Sequence, residues 1–123
     1  MKARGMDSSV DFEDYLEAEV FDERARMVGH LACYWTDEDE ETACLGVELV
    51  KNPRKTSVIP VTLAEPNERR SCVILNLPQE KVLNAPSLDC DEELESQFEE
   101  KVFKYFELEL PHRRNRLTIH RMT

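Results

Sequence analysis

Between residues 17 and 77 apolar and polar residues alternate, whereas after residue 91 the apolar positions recur every three or four residues. This change of period limits the chain more than any other feature. A period of two suits a half-buried strand and a period near 3.6 suits an amphipathic helix. The clearest alternation runs from Met27 to Thr36, with Leu31, Cys33 and Trp35 on one face and His30, Ala32 and Tyr34 on the other. Thr42 to Lys51 alternates again through Ala43, Leu45, Val47 and Leu49. Glu17 to Asp22, Thr56 to Ala64 and Arg69 to Leu77 complete five expected strands. Polar turns divide them at Asp22–Arg26, Asp37–Glu41, Asn52–Lys55 and Glu65–Glu68. Pro60 lies inside the fourth run, and its missing N–H places it on an edge, at a bulge or at a crossing between sheets. Short strands in series with polar turns predict a small antiparallel barrel or sandwich.

The last third reads differently. Pro78–Leu83 predicts one helical turn, with the proline near its first position. An extended connector follows from Asn84 to Asp89. A terminal helix is expected over 91–108, its stripe made by Leu94, Phe98, Val102, Tyr105 and Phe106. Asp91, Glu92 and Glu93 suit the positive end of its dipole, and Asp89 or Asp91 is the expected cap. Residues 1–17 form an acidic leader in which Phe12, Tyr15 and Leu16 can anchor a short turn, although loose attachment is the stronger expectation.

A chain of 123 residues allows one domain. Its net charge of −10 disfavours a broad nucleic-acid-binding face, and no DNA partner is expected. The charge is uneven. Arg113, Arg114, Arg116 and Arg121 against Glu109 give residues 109–123 a charge of +3, which leaves −13 on the preceding 108 residues. No run approaches the roughly 18 apolar residues of a membrane span. The opening residues lead into Asp and Ser, so no secretory signal is expected. With only three Gly there is no phosphate-cradling glycine loop.

Cys33, Cys44, Cys72 and Cys90 are spaced by 11, 28 and 18 residues, without the close pair usual in a zinc site. Two disulfides are arithmetically possible. Buried thiols in a reducing cytoplasm are the expectation, with disulfides and metal ligation as lesser alternatives. His30 reads as a surface residue, and His112 and His120 as part of a solvated tail. The five acids Asp37–Glu41 lack the spacing and the turn glycine of a calcium loop. Ser57, Ser71 and Ser87 have no nucleophile context. Trp35 and Tyr34 sit on opposite strand faces, so one of them is a candidate for exposure. Phe103 lies off the helix stripe and is a candidate partner contact as well as a core residue.

Several segments together resemble the PRC-barrel family. They are Val20-Phe21-Asp22 leading to Val28-Gly29-His30-Leu31, then Leu45-Gly46-Val47, then Thr56–Val61 around Pro60. The most specific is the run from Val73 through Leu77-Pro78, Ala85-Pro86, Asp89 and Leu94 to Val102–Phe106. The family includes the cytoplasmic domain of the reaction-centre H subunit, the C-terminal domain of a ribosome maturation factor and stand-alone bacterial stress-associated proteins. The glycine of the family's first hairpin is replaced here by Ala25 or Arg26. The acidic loop and the arginine tail are additions to the pattern.

The resemblance implies a mainly β fold, a small antiparallel barrel of 5–6 strands over residues 18–108 with its C-terminal helix at 91–108. It implies a docking module, with no catalytic residue, cofactor or metal to carry over. The resulting expectation is a cytoplasmic, non-enzymatic adaptor that binds a protein and forms a homodimer. Trp35, Tyr34, Phe103, Arg113, Arg114, Arg116 and Arg121 are its candidate interaction residues, and the basic tail would dock on the acidic body of a second copy. The alternative is an RNA- or ribosome-associated module using the same arginines. A metal-dependent enzyme using Cys and His is the least favoured reading.

Overall fold

The computed structural model describes residues 11–110 and 117–121. Its strands are β1 (Glu19–Phe21), β2 (Met27–Thr36), β3 (Thr42–Leu49), β4 (Thr56–Pro60), β5 (Ala64–Asn67), β6 (Cys72–Leu75) and β7 (Thr118–Arg121). Its helices are α1 (Gln79–Leu83) and α2 (Ser96–Tyr105), and 3-10 turns occupy Phe12–Tyr15 and Val61–Leu63. The fold is mainly β, one sheet of seven strands in the order β4-β3-β2-β1-β6-β5, with β7 added to β2.

The sheet is mixed rather than wholly antiparallel, because β1 runs parallel to β6 through Val20↔Val73 and Phe21↔Ile74. Pairing does not close it into a cylinder. Its two edge strands, β4 and β5, are instead joined by the three-residue turn Val61–Leu63. That link spans at most about 14 Å, so the two edges must converge at this corner and the sheet must curl. Pro60 ends β4 opposite Cys44, on an edge strand, where its missing N–H removes no ladder bond. The long strand expected over 56–64 therefore breaks at Pro60. The expected turn at Glu65–Glu68 is largely the edge strand β5, with Pro66 opposite Val73.

Two hairpins share one turn chemistry. The Asp22 carboxylate accepts from the N–H groups of Arg24 and Arg26 at 2.9 and 2.8 Å. The Asp37 carboxylate accepts from Asp39 and Glu41 at 2.9 and 3.0 Å. Each turn places its fourth residue in the left-handed region, Ala25 at φ 63° and Glu40 at φ 63°, as in a type I turn with a following bulge. Asp22 is fully buried and also pairs with Arg26 Nε at 3.0 Å. Burial raises its pKa, but the backbone N–H groups of Arg26 and Arg24 and the Arg26 side chain outweigh this and hold it below the usual carboxylate value.

Both faces of the outer half of β2 are covered. On one face Cys33 and Trp35 meet the connector after α1. Cys33 is disulfide-bonded to Cys90, and the Trp35 indole N–H donates to the Glu92 carbonyl at 2.9 Å. On the other face Tyr34 meets Phe12, whose ring centroid lies 6.5 Å away. Trp35 and Tyr34 are consequently both buried, and neither offers an exposed aromatic face. The expectation of four buried thiols is corrected at one pair, since Cys33 and Cys90, 57 residues apart, are joined. Cys44 and Cys72 remain thiols.

The helix expected from 91 begins at Ser96. Residues 91–95 are held otherwise: Trp35 takes the Glu92 carbonyl, and Leu94 exchanges two backbone hydrogen bonds with Leu117 at 3.0 and 3.3 Å. Glu95 is the N-cap residue and makes no side-chain cap bond, so neither Asp89 nor Asp91 plays that part. The helix ends in a Schellman arrangement, with Leu108 N–H on the Phe103 carbonyl and Glu107 N–H on the Lys104 carbonyl. Glu107 takes the left-handed position, at φ 59°. Phe103, Val102 and Phe106 are buried, which places Phe103 in the core. Tyr105 reaches α1, donating to the Lys81 carbonyl at 2.9 Å. The last carbonyls of α1 receive Ser57 Oγ on Val82 and Lys55 Nζ on Leu83, at 2.7 and 2.6 Å.

Among the described residues no helix is long and apolar enough to cross a membrane.

Candidate functional site

An open cleft of about 990 Å³ lies at the end of β2. Besides Val61, Ala64 and Pro66 of the corner and β5, three segments build it. The first is the 3-10 turn at Phe12–Tyr15, expected to be a loosely attached leader. Its Phe12 is instead a core residue, and Asp11 caps the turn by accepting from Glu13 N–H at 3.0 Å. The second is the β2–β3 hairpin tip, where the Asp37 turn fixes the backbone of the acidic loop. The third is β7.

β7 lies within the segment expected to be a basic tail. It pairs antiparallel with β2 through Tyr34↔His120 and Thr36↔Thr118. One edge of β2 is thereby shared, with β1 taking residues 27–30 and β7 taking residues 33–36. The pairing puts His120 beside Tyr34, their rings stacked at 4.9 Å between centroids and 11° between planes. His120 Nε2 also hydrogen-bonds the buried Thr36 hydroxyl at 2.8 Å.

The cleft carries six carboxylates, those of Asp11, Glu13, Asp37, Glu38, Glu40 and Glu41. Tyr34, Thr36 and His120 line it too, and Val61, Ala64 and Pro66 are among its apolar residues. Burial, followed by the carboxylates of Asp11, Glu13 and Asp14, pushes the Tyr34 hydroxyl above its usual pKa. The field at this hydroxyl is therefore negative, and the hydroxyl stays protonated at neutral pH.

No protein-family model matches the chain. No curated protein matches it either. The PRC-barrel resemblance thus stands on the motifs of residues 18–108 alone.

The structure gathers only some of the candidate residues. Tyr34 lines the cleft, whereas Trp35 and Phe103 lie in the core. Arg121 ends β7 opposite Cys33 and lines a second, smaller hollow with His30, Glu17 and Glu48. Arg113, Arg114 and Arg116 lie outside the described residues, as does His112. Asp89, Asp91 and Glu92 form an exposed trio whose ligand atoms lie within 4.8 Å of one another, away from the cleft. The residue that sequence reasoning missed is His120. Its signal was the short alternation Leu117-Thr118-Ile119-His120, hidden behind the arginines that precede it.

Proposed function

We propose that the chain is a non-enzymatic protein-interaction module of PRC-barrel type and that the cleft beside β2 is its docking face. The observation that carries this reading is the cleft itself: open, about 990 Å³, and lined by both apolar residues and carboxylates. Apolar and polar surface together are usual in a protein-binding patch. The curled sheet tied at the Pro60 corner, the buried Asp22 turn and the docked terminal helix support the family part of the reading. The cytoplasmic setting stays part of the proposal, although its argument from four thiols no longer applies to Cys33 and Cys90.

A site-specific crosslinking experiment tests it. A photoreactive side chain replaces Thr42, which lines the cleft, or Val50, which is 46% exposed elsewhere. Irradiation in a cell extract is expected to give nuclease-resistant protein adducts from position 42 and not from position 50. An adduct of two copies would identify the expected homodimer. Adducts removed by nuclease would favour the RNA-associated reading and overturn this one, as would equal adducts from both positions.

A further inference from the structure

The chemistry of the cleft narrows what it takes. Tyr34 is 6% exposed, and among the described residues its hydroxyl makes no hydrogen bond. The side chain lines the open cleft, so the missing bond comes from solvent or from a ligand that enters there. The hydroxyl lies where Asp11, Glu13 and Asp14 make the potential negative, which favours a cationic donor. Glu13, Glu40 and Glu41 are exposed on the rim and form no ion pair with any other described residue.

The spacing of the acids argues against a single metal ion. Among the described residues, the one group of three ligand atoms close enough for an ion is the distant Asp89, Asp91 and Glu92 trio. The cleft carboxylates are more dispersed, a pattern that suits charges spread along an extended chain. Building on the docking reading above, we propose that the cleft binds an arginine- or lysine-rich segment of a partner protein. One cationic side chain donates to the Tyr34 hydroxyl, and its neighbours pair with Glu13, Glu40 and Glu41. The Tyr34–His120 stack holds the hydroxyl in place.

Fluorescence anisotropy of the full chain with a labelled hexa-arginine peptide tests this, with hexa-glutamate and labelled spermine as comparisons. Hexa-arginine is expected to bind in a salt-sensitive manner and hexa-glutamate not at all. Tyr34→Phe should weaken hexa-arginine binding roughly tenfold, the loss of one bond to a charged donor, while leaving the melting temperature unchanged. The variant Glu13→Gln/Glu40→Gln/Glu41→Gln should lose most of the binding. A matched variant, Asp89→Asn/Asp91→Asn/Glu92→Gln, removes the same charge elsewhere and should keep it.

Equal losses in the two charge variants would show attraction to net charge alone and overturn the proposal. So would unchanged binding in Tyr34→Phe, or spermine binding as tightly as the peptide. The two readings fail separately. Protein adducts at position 42 without hexa-arginine binding would sink only this inference, whereas hexa-arginine binding without protein adducts would sink the docking reading.

Discussion

Gly46 stands across the β2–β3 pair from Cys33, and a Cβ at Gly46 would overlap Cys33 Sγ. The same Cβ would press on the Trp35 ring at 3.2 Å and on Thr56 Cγ2 at 3.1 Å. The glycine of the Leu45-Gly46-Val47 motif is therefore a space requirement in the sheet rather than a turn requirement. Because the Cys33 sulfur is bonded to Cys90, it cannot rotate away. Gly46→Ala should destabilise the fold by about 1–3 kcal/mol through overpacking. Denaturant midpoints will show this, and most of the cost should disappear in a Cys33→Ala background. A full cost in both backgrounds would assign the clash to Trp35 and Thr56 instead.

The Cys33–Cys90 bond closes a loop of 57 residues. In the chain-entropy account such a crosslink stabilises by up to about 4 kcal/mol. Cys90→Ser should lower the urea midpoint accordingly, and adding reductant to that variant should lower it no further. Alkylation of the unfolded, unreduced protein should label Cys44 and Cys72 and leave Cys33 and Cys90 unmodified.

Asp22 predicts an acid-side loss of stability. Its folded pKa lies below the unfolded value of about 3.9. Its contribution is therefore complete above the unfolded value and disappears as pH falls through the folded one. Asp22→Asn should flatten the stability profile between pH 5 and pH 2, where the ranges are approximate bounds on that titration. Asp22→Ala should cost about 1–3 kcal/mol at neutral pH, because it strands the Arg24 and Arg26 N–H groups. A profile identical to that of the unsubstituted protein would show that Asp22 does not set the acid limit.

Five non-glycine residues lie in the left-handed region, Glu17, Ala25, Glu40, Ser71 and Glu107. At that φ a side chain costs about 1–2 kcal/mol, partly offset by the greater flexibility that glycine brings to the unfolded chain. Ala25→Gly and Glu107→Gly should each raise stability by about 0.5–1 kcal/mol. The two sites are in separate turns, so thermal denaturation of the double variant should show additive gains.

Local features were legible. The alternation around Leu31, Cys33 and Trp35 and around Leu45 and Val47 gave β2 and β3 nearly to the residue. Pro78 marked the start of α1, and Pro60 marked an edge. The acidic cleft was legible only in pieces. The Asp37–Glu41 loop was visible, but its neighbours at Asp11, Glu13 and His120 come from distant parts of the chain. The helix start was misplaced because Glu92 and Leu94 have good helical neighbours in sequence but find Trp35 and Leu117 in space.

By itself the sequence determined that residues 27–36 and 42–49 are extended, that the Asp22 and Asp37 segments turn and that the last third holds an amphipathic helix, because these follow from side-chain period and from the chemistry of the Asp turns. Tertiary structure alone decided that Cys33 meets Cys90, that Thr118–Arg121 completes the β2 edge, and that β1 lies parallel to β6. Those pairings join residues far apart in the chain. Each is selected by the hydrogen bonds and apolar surface left open on the rest of the folded sheet, a condition that no local window of sequence contains.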